Sequence, residues 1–204
     1  MELREENIIS QPKKSSFTVT ELNLSELKCL SKSLAKNCTL TSLHLSFICI
    51  GDEGTKSLSK SLKTNSTLTE LHLEDCKIQN QGLIYISELL QSNFTLLILN
   101  LRRNNVGDEG SKYISKIISS SHTLTTLFLG NNNIGNEGAR KISKALKTNT
   151  NLKSLYLEYN YITCKGIKCI SQALSINPSL TLLSISDNSL GDEGVKCISE
   201  ILEL

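Results

Sequence analysis

Leu40, Leu68, Leu96, Leu124, Leu152 and Leu180 stand 28 residues apart, with no insertion or deletion between any two of them. A period this strict constrains the fold more than any other feature. A unit of that size cannot bury its own apolar side and must stack on neighbours. Each leucine opens the pattern L-x-x-L-x-L-x-x-N-x-I with Leu and Ile interchanged. It is clearest at Leu124, Leu127, Leu129, Asn132 and Ile134, and again at Leu152, Leu155, Leu157, Asn160 and Ile162. The L-x-L stretch alternates apolar and polar, as a short strand with one buried face does. A glycine then occupies the fifteenth position of every unit, from Gly54 and Gly82 to Gly194. Apolar residues follow at spacings of four, for example Ile114 and Ile118, which is the pattern of one helical face. Asp or Asn at the thirteenth position, such as Asp52 and Asn136, predicts a cap for the helix it opens. Glu at the fourteenth favours the positive end of that helix and pairs with Lys or Arg three residues on, as in Glu53 with Lys56 and Glu137 with Arg140.

The apolar residues repeat few shapes. There are 35 Leu and 20 Ile against four Ala, three Val and no Trp. One packing solution used many times needs no wider set. On these motifs the chain resembles the leucine-rich-repeat proteins, in particular the ribonuclease-inhibitor-like subclass with 28-residue units and a full helix. The resemblance implies an α/β fold: a right-handed solenoid forming a horseshoe arc, with a parallel sheet on the concave side and helices on the convex side. Strands repeat every ~4.8 Å and packed helices every ~10 Å, so each unit must turn by about 25–30°. Residues 40–204 hold six units starting at 40, 68, 96, 124, 152 and 180. Residues 12–39 fit as a degenerate N-terminal capping repeat, in which Leu30 and Leu34 hold helix positions, Glu26 replaces the glycine and Phe17 stands for a strand leucine. Residues 1–11 are expected to be a flexible lead. Asn104, Asn132, Asn160 and Asn188, at the ninth position, are suited to bonding adjacent backbone as the chain leaves the strand. Cys76 replaces that Asn in the second unit, and Ile48 in the first cannot do its work, so a looser N-terminal turn is expected.

Outward strand positions and the turn beyond them become stripes across the concave face on stacking. The fifth position reads His44, His72, Asn100, Phe128, Tyr156 and Ser184; the seventh and eighth bring Glu74, Asp75, Arg102, Arg103, Glu158 and Tyr159; the tenth brings Tyr161. Tyr and Arg are enriched at interface hot spots. The expected protein-binding patch is therefore His72, Glu74, Asp75, Arg102, Arg103, Phe128, Tyr156, Glu158, Tyr159 and Tyr161. His44 and His72 fall on neighbouring strands about 5 Å apart. They could share a metal with Glu70 or Glu74, but ordinary exposed histidines are the reading adopted, with no metal site and no cofactor. No nucleophile is set up for catalysis, since Cys49 near His44 lacks an orienting carboxylate and an oxyanion hole by spacing. No catalytic residues and no enzymatic activity are expected.

The charge balance, 22 Lys+Arg against 20 Asp+Glu, argues against nucleic acid or an anionic membrane as partner. A convex ridge of Lys56, Lys112, Arg140, Lys168 and Lys196 reads as solvated helix surface. No apolar run reaches the ~20 residues of a membrane span, and the N-terminal residues lack the apolar core of a secretory signal. Seven cysteines without CxxC pairs read as reduced thiols of a cytoplasmic protein. The triplets at Asn37, Asn65 and Asn93 that resemble glycosylation acceptors belong to the loop of the repeat. The resemblance implies a non-enzymatic module binding a protein on its concave face, as in ribonuclease inhibitor, the arrays of NOD-like receptors, and the effectors of intracellular bacteria that act in a host cytosol. An enzyme-regulator role resembling Ran GTPase-activating protein, using Arg102 or Arg103, is the alternative. The final unit presents an unpaired strand edge, and the expectation there is a monomer able to self-associate.

Overall fold

The computed structural model describes residues 15–202; the lead expected at residues 1–11 lies outside them. Among the described residues, seven short strands alternate with seven helices. The strands are β1 (Ser16–Thr18), β2 (Ser42–His44), β3 (Glu70–His72), β4 (Ile98–Asn100), β5 (Thr126–Phe128), β6 (Ser154–Tyr156) and β7 (Leu182–Ser184). The helices are α1 (Leu24–Leu34), α2 (Gly51–Leu62), α3 (Asn80–Leu90), α4 (Gly107–Ser120), α5 (Asn136–Leu146), α6 (Cys164–Leu174) and α7 (Gly191–Leu202). All strands pair in parallel, in chain order β1 to β7, and each helix packs on the next. The outcome is the expected right-handed α/β arc, with the sheet inside and the helices outside.

The register follows the sequence period. From β2 to β7 each residue faces the one 28 positions on, so Leu43, Leu71, Leu99, Leu127, Leu155 and Leu183 form one row. The first five of these are at most 1% exposed and pack against helix residues such as Leu58, Ile86, Ile114, Ile142 and Ile170. Burying each such side chain contributes about 1.5–3 kcal/mol. The N-terminal unit departs from the period: Ser16 faces Ser42, 26 residues on, and Phe17 faces Leu43. Its helix positions keep the full spacing, so the link from β1 to α1 is two residues shorter. Where Glu26 displaces the glycine, Asn23 caps α1 instead. Its side chain accepts from Ser25 N and Glu26 N, while Glu26 accepts from Asn23 N.

Two ladders of asparagine join the units. At the ninth position, Asn132 Oδ1 accepts from Asn104 N and Val106 N of the preceding unit, and its Nδ2 donates to Leu101 O and Gly130 O. Asn104 and Asn160 repeat the arrangement, and Asn188 keeps its Nδ2 donation to Leu157 O while its Oδ1 accepts from Ile162 N. Cys76 keeps one half of it. Its thiol donates to Leu45 O, but there is no side-chain acceptor for the preceding turn, where Ile50 N turns to Ile48 O. At the loops after the helices, the Nδ2 groups of Asn65 and Asn93 donate to Leu34 O and Leu62 O while both residues are at most 5% exposed. Two of the three glycosylation-like asparagines are thus committed to the interior.

The expectation that the thirteenth position caps its own helix is corrected by the structure. Asp52 Oδ1 accepts from Gln79 N and Gly82 N, Asp108 Oδ1 from Gly135 N and Gly138 N, and Asn136 Oδ1 from Thr163 N and Gly166 N. Each carboxylate or amide therefore caps the helix of the following unit. Parallel helices stacked in register place that side chain beside the next N-terminus, where two free N–H groups await an acceptor. This also accounts for the glycine at the fifteenth position: a Cβ on Gly138 would lie 2.7 Å from Asp108 Oδ1.

Candidate protein-binding face

The sheet turns its second side chains outward at the third and fifth positions, and the chain then enters a tight turn held by the asparagine ladder. At the eighth position that turn is left-handed in every complete unit: Phe47, Asp75, Arg103, Asn131, Tyr159 and Asp187 have φ between 49° and 66°. Asn and Asp tolerate this conformation, whereas a bulky L residue there is strained. Phe47 and Tyr159 nevertheless occupy it, and these residues are 67% and 55% exposed. Tyr161, two residues beyond Tyr159, is 66% exposed. Tyr159 and Tyr161 thus put two exposed aromatics on the rim of the fifth unit, while Phe47 stands apart in the first, with Asp75, Arg103 and Asn131 between them in the turn column.

The sequence-derived residues fall into three groups. Phe128 and Tyr156 lie on adjacent strands with rings stacked at 4.3 Å, and with Tyr159, Tyr161 and Arg103 they line one stretch of face and rim. Asp75 sits on the rim between two cations, with Lys77 Nζ at 2.7 Å and Arg103 Nε at 3.8 Å. The second group turns inward. Arg102 Nη1 meets Glu158 Oε1 at 2.7 Å, and Glu158 is 6% exposed. These two residues belong to units two apart, and Gly130 lies between them. A Cβ there would approach the Glu158 carboxyl carbon to 3.0 Å, so the glycine provides the passage. Glu158 accordingly faces Arg102 rather than solvent. Glu74 is half-buried and accepts from Asn100 Nδ2.

The third group is at the N-terminal end. His72 is not the ordinary exposed histidine expected from the sequence. Its ring stacks on His44 at 4.1 Å, and its side chain is 19% exposed. Burial, then the neighbouring His44, lowers its pKa, with Glu70 and Glu74 opposing the shift. Sequence reasoning left His44, Glu70 and Phe47 out of the candidate face. The signal for the first two was present in the columns they share with His72 and Ser42. Nothing in the sequence marks Phe47 beyond its position in the turn column.

The convex face carries local pairs, Lys56 with Glu53 at 3.5 Å and Arg140 with Glu137 at 2.7 Å. Both are solvent-exposed, where such pairs contribute little. No helix among the described residues is long and apolar enough to cross a membrane.

Solved structures of the same fold include "Leiomodin-1 Actin-Binding Site 2 (ABS2)", 18% identical over 89% of this chain and 88% of that one, with a TM-score of 0.53. The tropomodulin C-terminal domain of Caenorhabditis elegans is 12% identical over 89% of this chain and 92% of that one, with a TM-score of 0.51. A TLR13–ssRNA13 complex matches at 21% identity and a TM-score of 0.50, covering 77% of this chain but only 20% of that one. No curated protein sequence matches. The family model for the leucine-rich repeat matches six successive segments, 36–59, 64–87, 92–115, 120–143, 148–171 and 177–199, which together exceed half of the chain. Coinciding with the strand–helix units of the structure, they show that this chain belongs to the leucine-rich-repeat family.

Proposed function

We propose that this chain is a non-enzymatic protein-recognition module whose partner docks on the concave face and its rim, over Phe128, Tyr156, Tyr159, Tyr161, Arg103 and Asp75. The observation that carries the reading is Tyr159. A left-handed backbone costs an L residue about 1–2 kcal/mol, and Asn131 meets the same turn one unit earlier with a better-suited side chain. A ring held there and left more than half in solvent does little for the fold, and strained exposed positions of this kind are typical of binding sites. The stacked pair beside it supplies a preorganised aromatic surface of low entropy cost. Of the two arginines a GTPase-assisting role could use, Arg102 is engaged by Glu158 and Arg103 faces Asp75 at 3.8 Å, and this favours binding over assistance to a reaction. The 28-residue unit with a full helix supports the ribonuclease-inhibitor-like subclass, and seven cysteines without CxxC spacing support a cytoplasmic setting, including a host cytosol for a bacterial effector.

Affinity capture from eukaryotic cytosol, read by mass spectrometry, tests this proposal. Wild type is compared with the triple variant Tyr159→Asn, Tyr161→Ala, Arg103→Glu, shown by circular dichroism to be folded. Purified actin forms a direct arm, because leiomodin-1 ABS2 shares the fold. Arg102 is left intact, since its loss would strand the buried Glu158 carboxylate. Proteins retained by the wild type and lost by the variant support the face. Identical sets from both proteins defeat it.

A further inference from the structure

At the N-terminal end of the concave face, β2 and β3 set three ligand-type side chains against one another. One donor atom from each of His44, Glu70 and His72 lies within 4.8 Å of the other two. The group includes two of the chain's three histidines. His72 Nε2 is closed off from solvent and has no hydrogen-bond partner; the nearest carboxylate oxygen, Glu70 Oε2, is 3.6 Å away, beyond hydrogen-bond reach. A ring nitrogen left so in a folded protein is costly unless something takes its lone pair or its proton. Ser42, itself buried, sits between the other two members. Its hydroxyl donates to Glu70 Oε2 at 3.0 Å and contacts His44 Nε2 at 3.0 Å. Glu74 adds a second negative charge close to His72.

We propose that His44, Glu70 and His72 form a site for a single divalent transition-metal ion of the zinc class. Two imidazoles and one carboxylate are a zinc ligand set that leaves a fourth position for water or for a donor from a docked partner. Tetrahedral zinc with bonds of ~2.0–2.1 Å needs its donors about 3.3–3.5 Å apart. The three groups therefore close by about 1 Å, which requires the partly exposed His44 ring to swing out of its stack on His72 so that the two lone pairs converge. Ser42 then serves as the outer partner that orients Glu70. The proposal goes beyond the protein-recognition reading and stands on different residues.

Titration of the full chain with Zn²⁺ alone, under reducing conditions at neutral pH, provides the test, with Co²⁺ as a spectroscopic probe. Saturable binding of one equivalent is expected. Glu70→Gln and His72→Ala each weaken it at least about tenfold, and His122→Ala leaves it unchanged. The Co²⁺ spectrum should lack the intense near-ultraviolet band of a thiolate ligand. On the wild type, Zn²⁺ should move the ring signals of His44 and His72 and leave those of His122 in place, a readout that stands even if a variant fails to fold. Binding retained by the variants, a thiolate band from the surface cysteines, or unmoved His44 and His72 signals each overturns the site.

Discussion

Replacing Asn132 by Ala removes one rung of the ladder that fixes the rim, and the structure sets its cost. Asn132 is fully buried, and its Oδ1 accepts from Asn104 N at 3.0 Å and Val106 N at 3.3 Å. Its Nδ2 donates to Leu101 O and Gly130 O, but those carbonyls keep other donors, Asn104 Nδ2 and Arg103 N. The net damage is two buried N–H groups with no acceptor. At about 1–3 kcal/mol each, the expected loss is about 4 kcal/mol. At the outer end of the ladder, the Asn188 amide oxygen serves Ile162 N from a half-buried position, so Asn188→Ala is expected to lose only about 1–2 kcal/mol. Urea denaturation followed by circular dichroism at 25 °C, with linear extrapolation, measures both. A loss below about 1.5 kcal/mol for Asn132→Ala, or equal losses at the two sites, would refute the accounting; water would then have taken over the acceptor's work.

Three further perturbations probe other parts of the molecule. The lowered pKa of His72 means that the unfolded chain binds this proton first, so stability is complete above about 6.5 and falls as pH drops below it. Urea midpoints at pH 7.5 and 5.5 should differ less in His72→Gln than in the wild type. Burial pushes the Cys76 thiol up to about 12, whereas Cys38 and Cys49 are exposed. A thiol reagent at pH 8 should therefore modify those two at once and Cys76 only on unfolding. Gly130→Ala should cost about 1–3 kcal/mol by pushing Glu158 off Arg102, discounted because Arg102 is 30% exposed. Adding Glu158→Ala should make the same change nearly neutral, and additive losses would show that the glycine has another role.

The period made the fold legible because it records what every unit must do alike: Leu127 and Leu155 are apolar for the same reason, and so are Ile142 and Ile170. The ninth-position asparagines could be read for the same cause. The error over the thirteenth position has a physical origin. A cap read along the chain is assigned to its own helix, and only stacking shows that Asp108 reaches Gly135 and Gly138 of the next. The shortened link after β1 was likewise hidden, because Phe17 fits a strand leucine in either register.

The candidate face was legible only as columns, and its chemistry arises between columns. Outward residues are free of the packing that fixes the period, so their meaning depends on neighbours 28 or 56 positions away. Arg102 and Glu158 both read as surface charges in the sequence. They become one ion pair, with Glu158 buried and Arg102 partly exposed, because Gly130, which carries no chemistry, lies between them. His44 and His72 read as two solvent-facing imidazoles until Glu70, one column over, encloses a ring nitrogen with them. Tyr159 is the converse case: the sequence marks it as one outward aromatic among several, and a bulky, exposed residue on a left-handed backbone is what sets it apart as placed for something outside the fold. In a solenoid, then, residues that obey the repeat report on stability. Function is to be sought where side chains break the pattern of their own column, at Tyr159 after Asn131, at Gly130 after Arg102, and at the paired histidines before Asn100.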